Sequence, residues 1–295
     1  WCRDFKRLYT MYTYNRWYFK WRRLNKQERD LFPRIISPPY PESRGRSTRR
    51  VLSPDLDVTD ISPLEFARQL TLIEQWLLGR LTLKDCTKLS RRKSEHVQAL
   101  IAFSNHIAQW VASEIVATAN RKKRVAVIKF FLQVMDHCLE LKNMASYCSL
   151  SQGVNNVTVS RLKLTWAALP KKYMQVKQRA DQLTSVLRNF QALRDYQRDL
   201  KPPFVPYFAI FIKDIVLIEI SNNTFYDSEG HTTWINFEKC VMLSQQAKRI
   251  KMAQSVKYKL VPERQLQDWI LTQTKALSES DLIRFSKWAE PSTLK

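Results

Sequence analysis

The sequence predicts an all-α domain, and three observations carry that expectation. Residues 94–118 place Val97, Leu100, Ile101, Ile107, Ala108, Val111 and Ile115 at the 3.6-residue period of an amphipathic helix. Residues 122–142 repeat the pattern with Val125, Ile128, Leu132, Met135 and Leu139. Little of the remaining chain alternates apolar and polar residues as a half-buried strand would, and no internal repeat is found.

Size and composition bound the rest. At 295 residues and 44% hydrophobic, the chain can bury a large core without disulfides. The five cysteines (Cys2, Cys86, Cys138, Cys148, Cys240) are scattered, which fits reduced thiols in the cytosol better than a disulfide or zinc framework. No apolar run reaches the roughly 18 residues of a membrane-spanning helix. The opening residue is Trp1 rather than Met, which reads as a fragment of a longer protein. The formal charge of +22 implies an acidic partner: nucleic acid, anionic lipid or an acidic protein face. Residues 1–50 hold 14 Lys and Arg against 4 Asp and Glu, so ten of those charges sit in the first sixth of the chain.

Taken in order, residues 1–32 form a basic aromatic segment, with Phe5, Tyr9 and Tyr12 on one helical stripe. Its interleaved rings and cations suit a membrane surface or nucleic-acid stacking, or a helix packed on the main domain. Residues 33–55 are a linker rich in Pro, Arg and Ser. Order resumes in a main domain over 56–292. Ser62 is an N-cap, Pro63 suits the first helical position, and Glu65 lies three residues after the cap. Phe66, Leu70 and Ile73 then share one helix face. Gly153-Val154-Asn155-Asn156 reads as a helix stop and turn. A new helix starts after Pro170, residues 180–200 are further helix, and Gln265–Leu277 and Glu279–Ala289 close the domain. His106 and His137 belong to no metal-ligand pattern and read as ordinary helix residues.

The stretch 201–254 organises the domain. Pro202, Pro203 and Pro206 stiffen its entry. Tyr207–Ile220 is more apolar than a surface helix needs, and its β-branched content leaves strand open for this arm. A polar loop over 221–231 leads to a second arm starting at Trp234. The pair reads as a helical hairpin.

Missing motifs narrow the chemistry. With four glycines in all, there is no GxxxxGK[ST] or GxGxxG to cradle phosphates, no GxSxG elbow and no DxDxDG loop. Covalent chemistry has no visible equipment, and neither a cofactor nor a metal is expected.

Four separated segments together resemble a known family. They are Ala67-Arg68-Gln69-Leu70-Thr71-Leu72-Ile73-Glu74, the run from Gly153 through Arg161-Leu162 to Trp166-x-x-Leu169-Pro170, Pro202–Phe208 with Lys213–Glu219, and Ile235–Lys239. This set is similar to the exchange domain of Ras-family guanine-nucleotide exchange factors of the Son of sevenless type, over about residues 56–292. The resemblance implies a helical bowl with a protruding helical hairpin. The bowl would grip the second switch of a Ras-subfamily small GTPase while the hairpin displaces the first. Gripping positions fall on Ile101, Cys148, Asn155, Val157, Ser160, Phe190, Tyr207 and Ile210, with Met242 on the second arm. The wedge falls on Val216, Glu219 and Ile220. The family's Ras activators typically carry glutamate where this chain has Ile220, and basic residues where it has Cys240-Val241-Met242.

The implied mechanism is linkage: GTPase binds nucleotide or exchange factor, each weakening the other by the same free energy. A thousandfold faster release needs about 4 kcal/mol off the barrier. The alternatives are a catalytically weak scaffold of the same fold that binds a GTPase or adaptor, and, least favoured, a nucleic-acid-binding helical protein. Residues 1–50 add an acidic membrane surface as a candidate partner of a cytoplasmic protein.

Overall fold

The computed structural model describes residues 57–82, 84–86, 94–227, 233–272, 274 and 276–291. The basic aromatic segment and the linker lie outside the described residues. Among those described, the chain is helical, with one short two-stranded ribbon.

Helix α1 (Pro63–Gly79) starts as the sequence predicts, with Ser62 Oγ accepting from Glu65 N and Pro63 in the first turn. Its apolar face packs Phe66 against Trp110 of α2 (Glu95–Ala117), ring centroids 5.8 Å apart. Trp110 in turn meets Phe131 of α3 (Arg121–Glu140) edge-on at 5.3 Å. These rings centre a core completed by α4 (Met144–Val154). The buried surface of α1 is wider than its apolar stripe: Gln69, Thr71 and Glu74 are also fully buried. Gln69 accepts from Glu263 N at 3.0 Å and donates to Val261 O at 3.0 Å, tying a distant segment to α1. Asn143, the N-cap of α4, donates to Thr71 Oγ1 at 3.0 Å. Both Glu74 carboxylate oxygens lack a hydrogen-bond partner among the described residues, and burial raises its pKa to about 8.

Short helices α5 (Val157–Ser160) and α6 (Lys163–Ala167) follow, then α7 (Lys171–Leu183), with Pro170 at its N-cap as expected. The 180–200 stretch is interrupted rather than continuous. α7 ends at Leu183, and α8 (Leu187–Arg198) holds three successive residues in the left-handed region. Next come α9 (Phe208–Ser221), β1 (Phe225–Asp227), β2 (Thr233–Ile235) and α10 (Phe237–Gln254). The first hairpin arm is therefore helix. β1 falls in the predicted polar loop and β2 at the predicted start of the second arm; the two pair antiparallel with Phe225 opposite Ile235, a pairing of aromatic and β-branched residues that suits cross-strand contact. The second helical arm starts three residues after Trp234, where Asn236 caps it.

The last helices are α11 (Arg264–Thr272) and α12 (Glu279–Ala289). α11 stops short of the predicted Leu277 because the chain docks on α2. Thr274 Oγ1 bonds His106 Nε2 at 2.7 Å, and Leu277 donates to Ser113 Oγ at 2.8 Å and accepts from Gln109 Nε2 at 2.6 Å. His137 pairs with Glu140 at 2.9 Å, so both helix histidines have local partners.

The C-terminal end closes on α5 and α6. Arg124, almost fully buried, donates from Nε to Thr165 Oγ1 at 2.9 Å and to Thr118 O at 2.8 Å, with Glu290 at 3.4 Å. Glu290 also accepts from the Thr165 hydroxyl at 2.5 Å and from the backbone N–H groups of Leu164 and Thr165. These bonds hold its carboxyl below the usual range against the opposing push of burial.

Candidate functional site

The hairpin is anchored at its base and free at its tip. Val205 donates to Lys142 O at 3.0 Å and accepts from Met144 N at 2.8 Å, so the proline-rich entry is paired to the α3–α4 junction. Tyr207 sits at the N-cap position of α9, and Gln197 supplies a side-chain acceptor for its N–H at 2.7 Å. Phe208, Ile210, Phe211 and Ile215 are buried. No residue of α9 beyond Ile215 is buried, so the helix leaves the body at that point.

The tip is held by hydrogen bonds. Asn236 is buried, accepts from Lys239 N at 3.0 Å and donates to Asn223 O at 2.9 Å. Lys239 reaches from α10 across the hairpin, donating to Asn222 O at 2.7 Å, Thr224 Oγ1 at 3.0 Å and Glu219 O at 3.4 Å. An ammonium thereby caps the carbonyl end of α9 from the opposite arm, where the helix dipole favours positive charge. Around this polar lock the side chains are apolar and exposed: Ile220 at 71%, with Phe225, Trp234, Ile235 and Phe237. Val216, Glu219 and Met242 are half-buried.

The other predicted contact positions lie on α2, on α4 and at its end, on α5 and α8, and at the start of α9. Ile101 lies on α2 at 40% exposure, and Val157 on α5 at 77%. Asn155, at the end of α4, donates to Asp181 Oδ1 at 2.7 Å, and Lys177 holds the other oxygen of that carboxylate at 2.7 Å. Ser160 Oγ donates to Asn155 O at 3.2 Å. Beside them a groove of about 750 Å³ runs between Ser160, Trp166, Met174 and Lys177. Tyr207 is half-buried, accepts from Gln152 Nε2 at 2.8 Å, and meets the ring of Phe190 at 6.5 Å between centroids. Cys148 is 2% exposed and Ile210 6%, so these two are buried. Burial pushes the Cys148 thiol pKa up.

Two backbone features shape this surface. Gly153 is the next-to-last residue of α4, which ends at Val154 with Asn155 as its C-cap, so the helix stop falls within 153–156 as the sequence predicts. A Cβ there would come within 2.5 Å of Ala108 O and 2.6 Å of Val111 Cβ, so only glycine lets α4 lie this close to α2. The turn follows at once, with Asn156 capping α5. Arg188, Asn189 and Phe190 have φ of 48°, 57° and 61°. Left-handed residues other than glycine cost roughly 1–2 kcal/mol each, and such strain collects at functional positions.

Sequence reasoning missed the parts played by Gln152, Gln197, Asn236 and Lys239. Each acts on a group far along the chain, and helical period carries no signal for that. The motif around Asn236 and Lys239 was the one available pointer, since the resemblance already ran through it.

Comparison with known proteins gives the family. A model of the RasGEF domain matches residues 65–241. Ras guanine nucleotide exchange factor M of Dictyostelium discoideum is 31% identical over 255 residues, covering 83% of this chain and 27% of that protein. Factor Y of the same organism is 31% identical over 234 residues, covering 77% and 15%. Human Rap guanine nucleotide exchange factor 5 is 30% identical over 162 residues, covering 55% and 27%. The chain thus spans at most about a quarter of the length of these relatives.

Proposed function

Because the chain belongs to the RasGEF domain family, we propose that it speeds GDP release from a Ras-subfamily small GTPase by placing the α9–α10 hairpin beside the nucleotide site. The observation that carries this reading is the hairpin itself. Its base is buried, its tip is locked by Asn236 and Lys239, and its outermost side chains are apolar and unpacked. Ile101, Asn155, Val157, Ser160, Phe190 and Tyr207 form the grip on the second switch, with Cys148 and Ile210 as its floor. Val216, Glu219 and Ile220 form the wedge, and Met242 borders it on α10.

Ile220 cannot accept a hydrogen bond, so exchange rests on steric displacement of the first switch rather than on imitation of a phosphate. That favours Rap or Ral proteins over Ras itself as substrate. Residues 1–50, with ten net positive charges, supply an acidic-membrane contact. The decisive experiment is release of a fluorescent nucleotide from Ras, Rap and Ral proteins. We expect the fastest release from Rap or Ral, and the tightest complex with the nucleotide-free GTPase, dissociated by added GDP or GTP. Binding without acceleration of release from any of them would favour the scaffold reading, and fastest release from Ras would overturn the substrate assignment.

A further inference from the structure

Side chains join the Phe190 turn to the first arm of the hairpin. Arg194 lies one helical turn after Phe190 on α8. Its Nε donates to Asn189 O at 2.7 Å. Its two terminal nitrogens donate to the two carboxylate oxygens of Asp214 on α9, at 2.7 and 2.6 Å. Lys213, next to Asp214, donates to Asn189 Oδ1 at 2.6 Å and lies 5.6 Å from the centre of the Phe190 ring. Two adjacent residues of α9 therefore converge on a turn whose three residues all stand in the left-handed region. Such a turn persists only where its surroundings over-determine it, and Arg194 supplies the bond to its central carbonyl.

The placement of this join matters. Asp214 precedes Val216 by two residues and Ile220 by six, at the point where α9 leaves the body. Beyond it only Ile215 of α9 is buried, so the helix has few other contacts to set its angle. A two-pronged guanidinium–carboxylate fork is strong and orientation-specific, and lysine cannot reproduce it. The pair is mostly shielded from solvent, with side chains 20% and 16% exposed.

We infer that Arg194 is a positioning residue: through the Asn189 carbonyl and Asp214 it joins the Phe190 grip to the hairpin, so that the grip sets the angle of the wedge. The consequence for exchange rests on the function proposed above, while the join itself can be measured without a GTPase.

The test uses the full chain with Arg194→Lys, Arg194→Ala, Asp214→Asn and the double variant Arg194→Ala/Asp214→Ala. The first readout is hydrogen exchange of the α9 amides from Asp214 to Ser221 in the free protein. It should rise by roughly tenfold in each variant while core amides of α1 to α4 stay protected. The second is nucleotide release from a Rap or Ral protein. The maximal rate should fall by about tenfold, the half-saturating concentration should shift less than about threefold, and the double variant should be no worse than the poorer single one. Unchanged α9 protection overturns the join. A rate loss that merely tracks melting temperature or half-saturation overturns the positioning role. If the wild-type chain accelerates release from no GTPase, the proposed function falls, and hydrogen exchange alone decides the join.

Discussion

Helices α1 and α9 are treated in opposite ways by the rest of the molecule. α1, 17 residues long, buries ten of them, including Gln69, Thr71 and Glu74. α9 is the more apolar of the two, yet buries only four of 14. Apolar character therefore does not decide burial here; the supply of neighbours does. α1 is surrounded by α2, α3, α4 and α11, and two of its buried polar residues, Gln69 and Thr71, acquire partners inside. α9 packs chiefly on α10, and their shared end stands clear. A helix that keeps Leu217 and Ile220 in solvent at its far end has traded burial for a surface, and the Asn236–Lys239 lock supplies the rigidity that packing does not.

This contrast can be broken from either side. The largest effect is expected in the body. Arg124→Ala leaves Glu290 and the Thr165 region without their buried cation and should lower the unfolding free energy by about 3–5 kcal/mol, read by denaturant titration. A loss under about 1 kcal/mol would mean that water replaces the guanidinium at no cost.

Gly153→Ala comes next. The added methyl meets backbone as well as Val111, so α4 must shift, at about 1–3 kcal/mol. Because Asn155 and α5 follow directly, GTPase binding should weaken along with stability. Intact binding at reduced melting temperature would separate the two.

Glu74 supplies a pH signature. Burial raises its pKa from 4.5 to about 8, so the folded chain retains a proton that the unfolded chain releases above pH 4.5. The associated stability is complete below the unfolded value and is lost as pH rises through about 8. Glu74→Gln should therefore flatten the decline in stability between pH 5 and pH 8, and an identical slope in wild type and variant would place the titration elsewhere.

In the hairpin the effects on stability shrink. Lys239→Met removes three hydrogen bonds from a charged donor, about 1–3 kcal/mol locally. It should raise hydrogen exchange at the end of α9 and in the ribbon while barely moving the global melting temperature. A large global loss would show that the tip is integral to the core. Smallest of all is Ile220→Asp, an exposed position where stability should change by less than about 0.5 kcal/mol. Nucleotide release should nevertheless slow more than binding to the nucleotide-free GTPase weakens, because a carboxylate there would be desolvated against an anionic site. Unchanged release would remove Ile220 from the wedge.

Much of the architecture was legible because its signals are local. The Ser62-Pro63-x-Glu65 start of α1, the helical period of α2 and α3, and the proline before α7 each act within a few residues, and each appears where the sequence places it. The hairpin's existence followed from two apolar arms around a polar turn, and the family from motifs in a fixed order. Two local readings shifted under longer-range contacts. The 180–200 helix is interrupted, and its left-handed turn is held by Arg194. α11 ended early because its continuation bonds to α2. The stop at Gly153–Asn156 stands, and the close approach of Gly153 to Ala108 is an addition the sequence did not show.

The sequence by itself determined a helical domain, its caps and its hairpin, because backbone propensity and apolar spacing act over one or two turns. Only the tertiary structure decided which residues within that frame do what. Gln69, Glu74 and Arg124 carry polar groups into the core, Cys148 and Ile210 are buried, and Lys239 caps a helix it does not belong to. Each of those roles depends on a partner brought near by packing, and the chain order around the residue holds no trace of it.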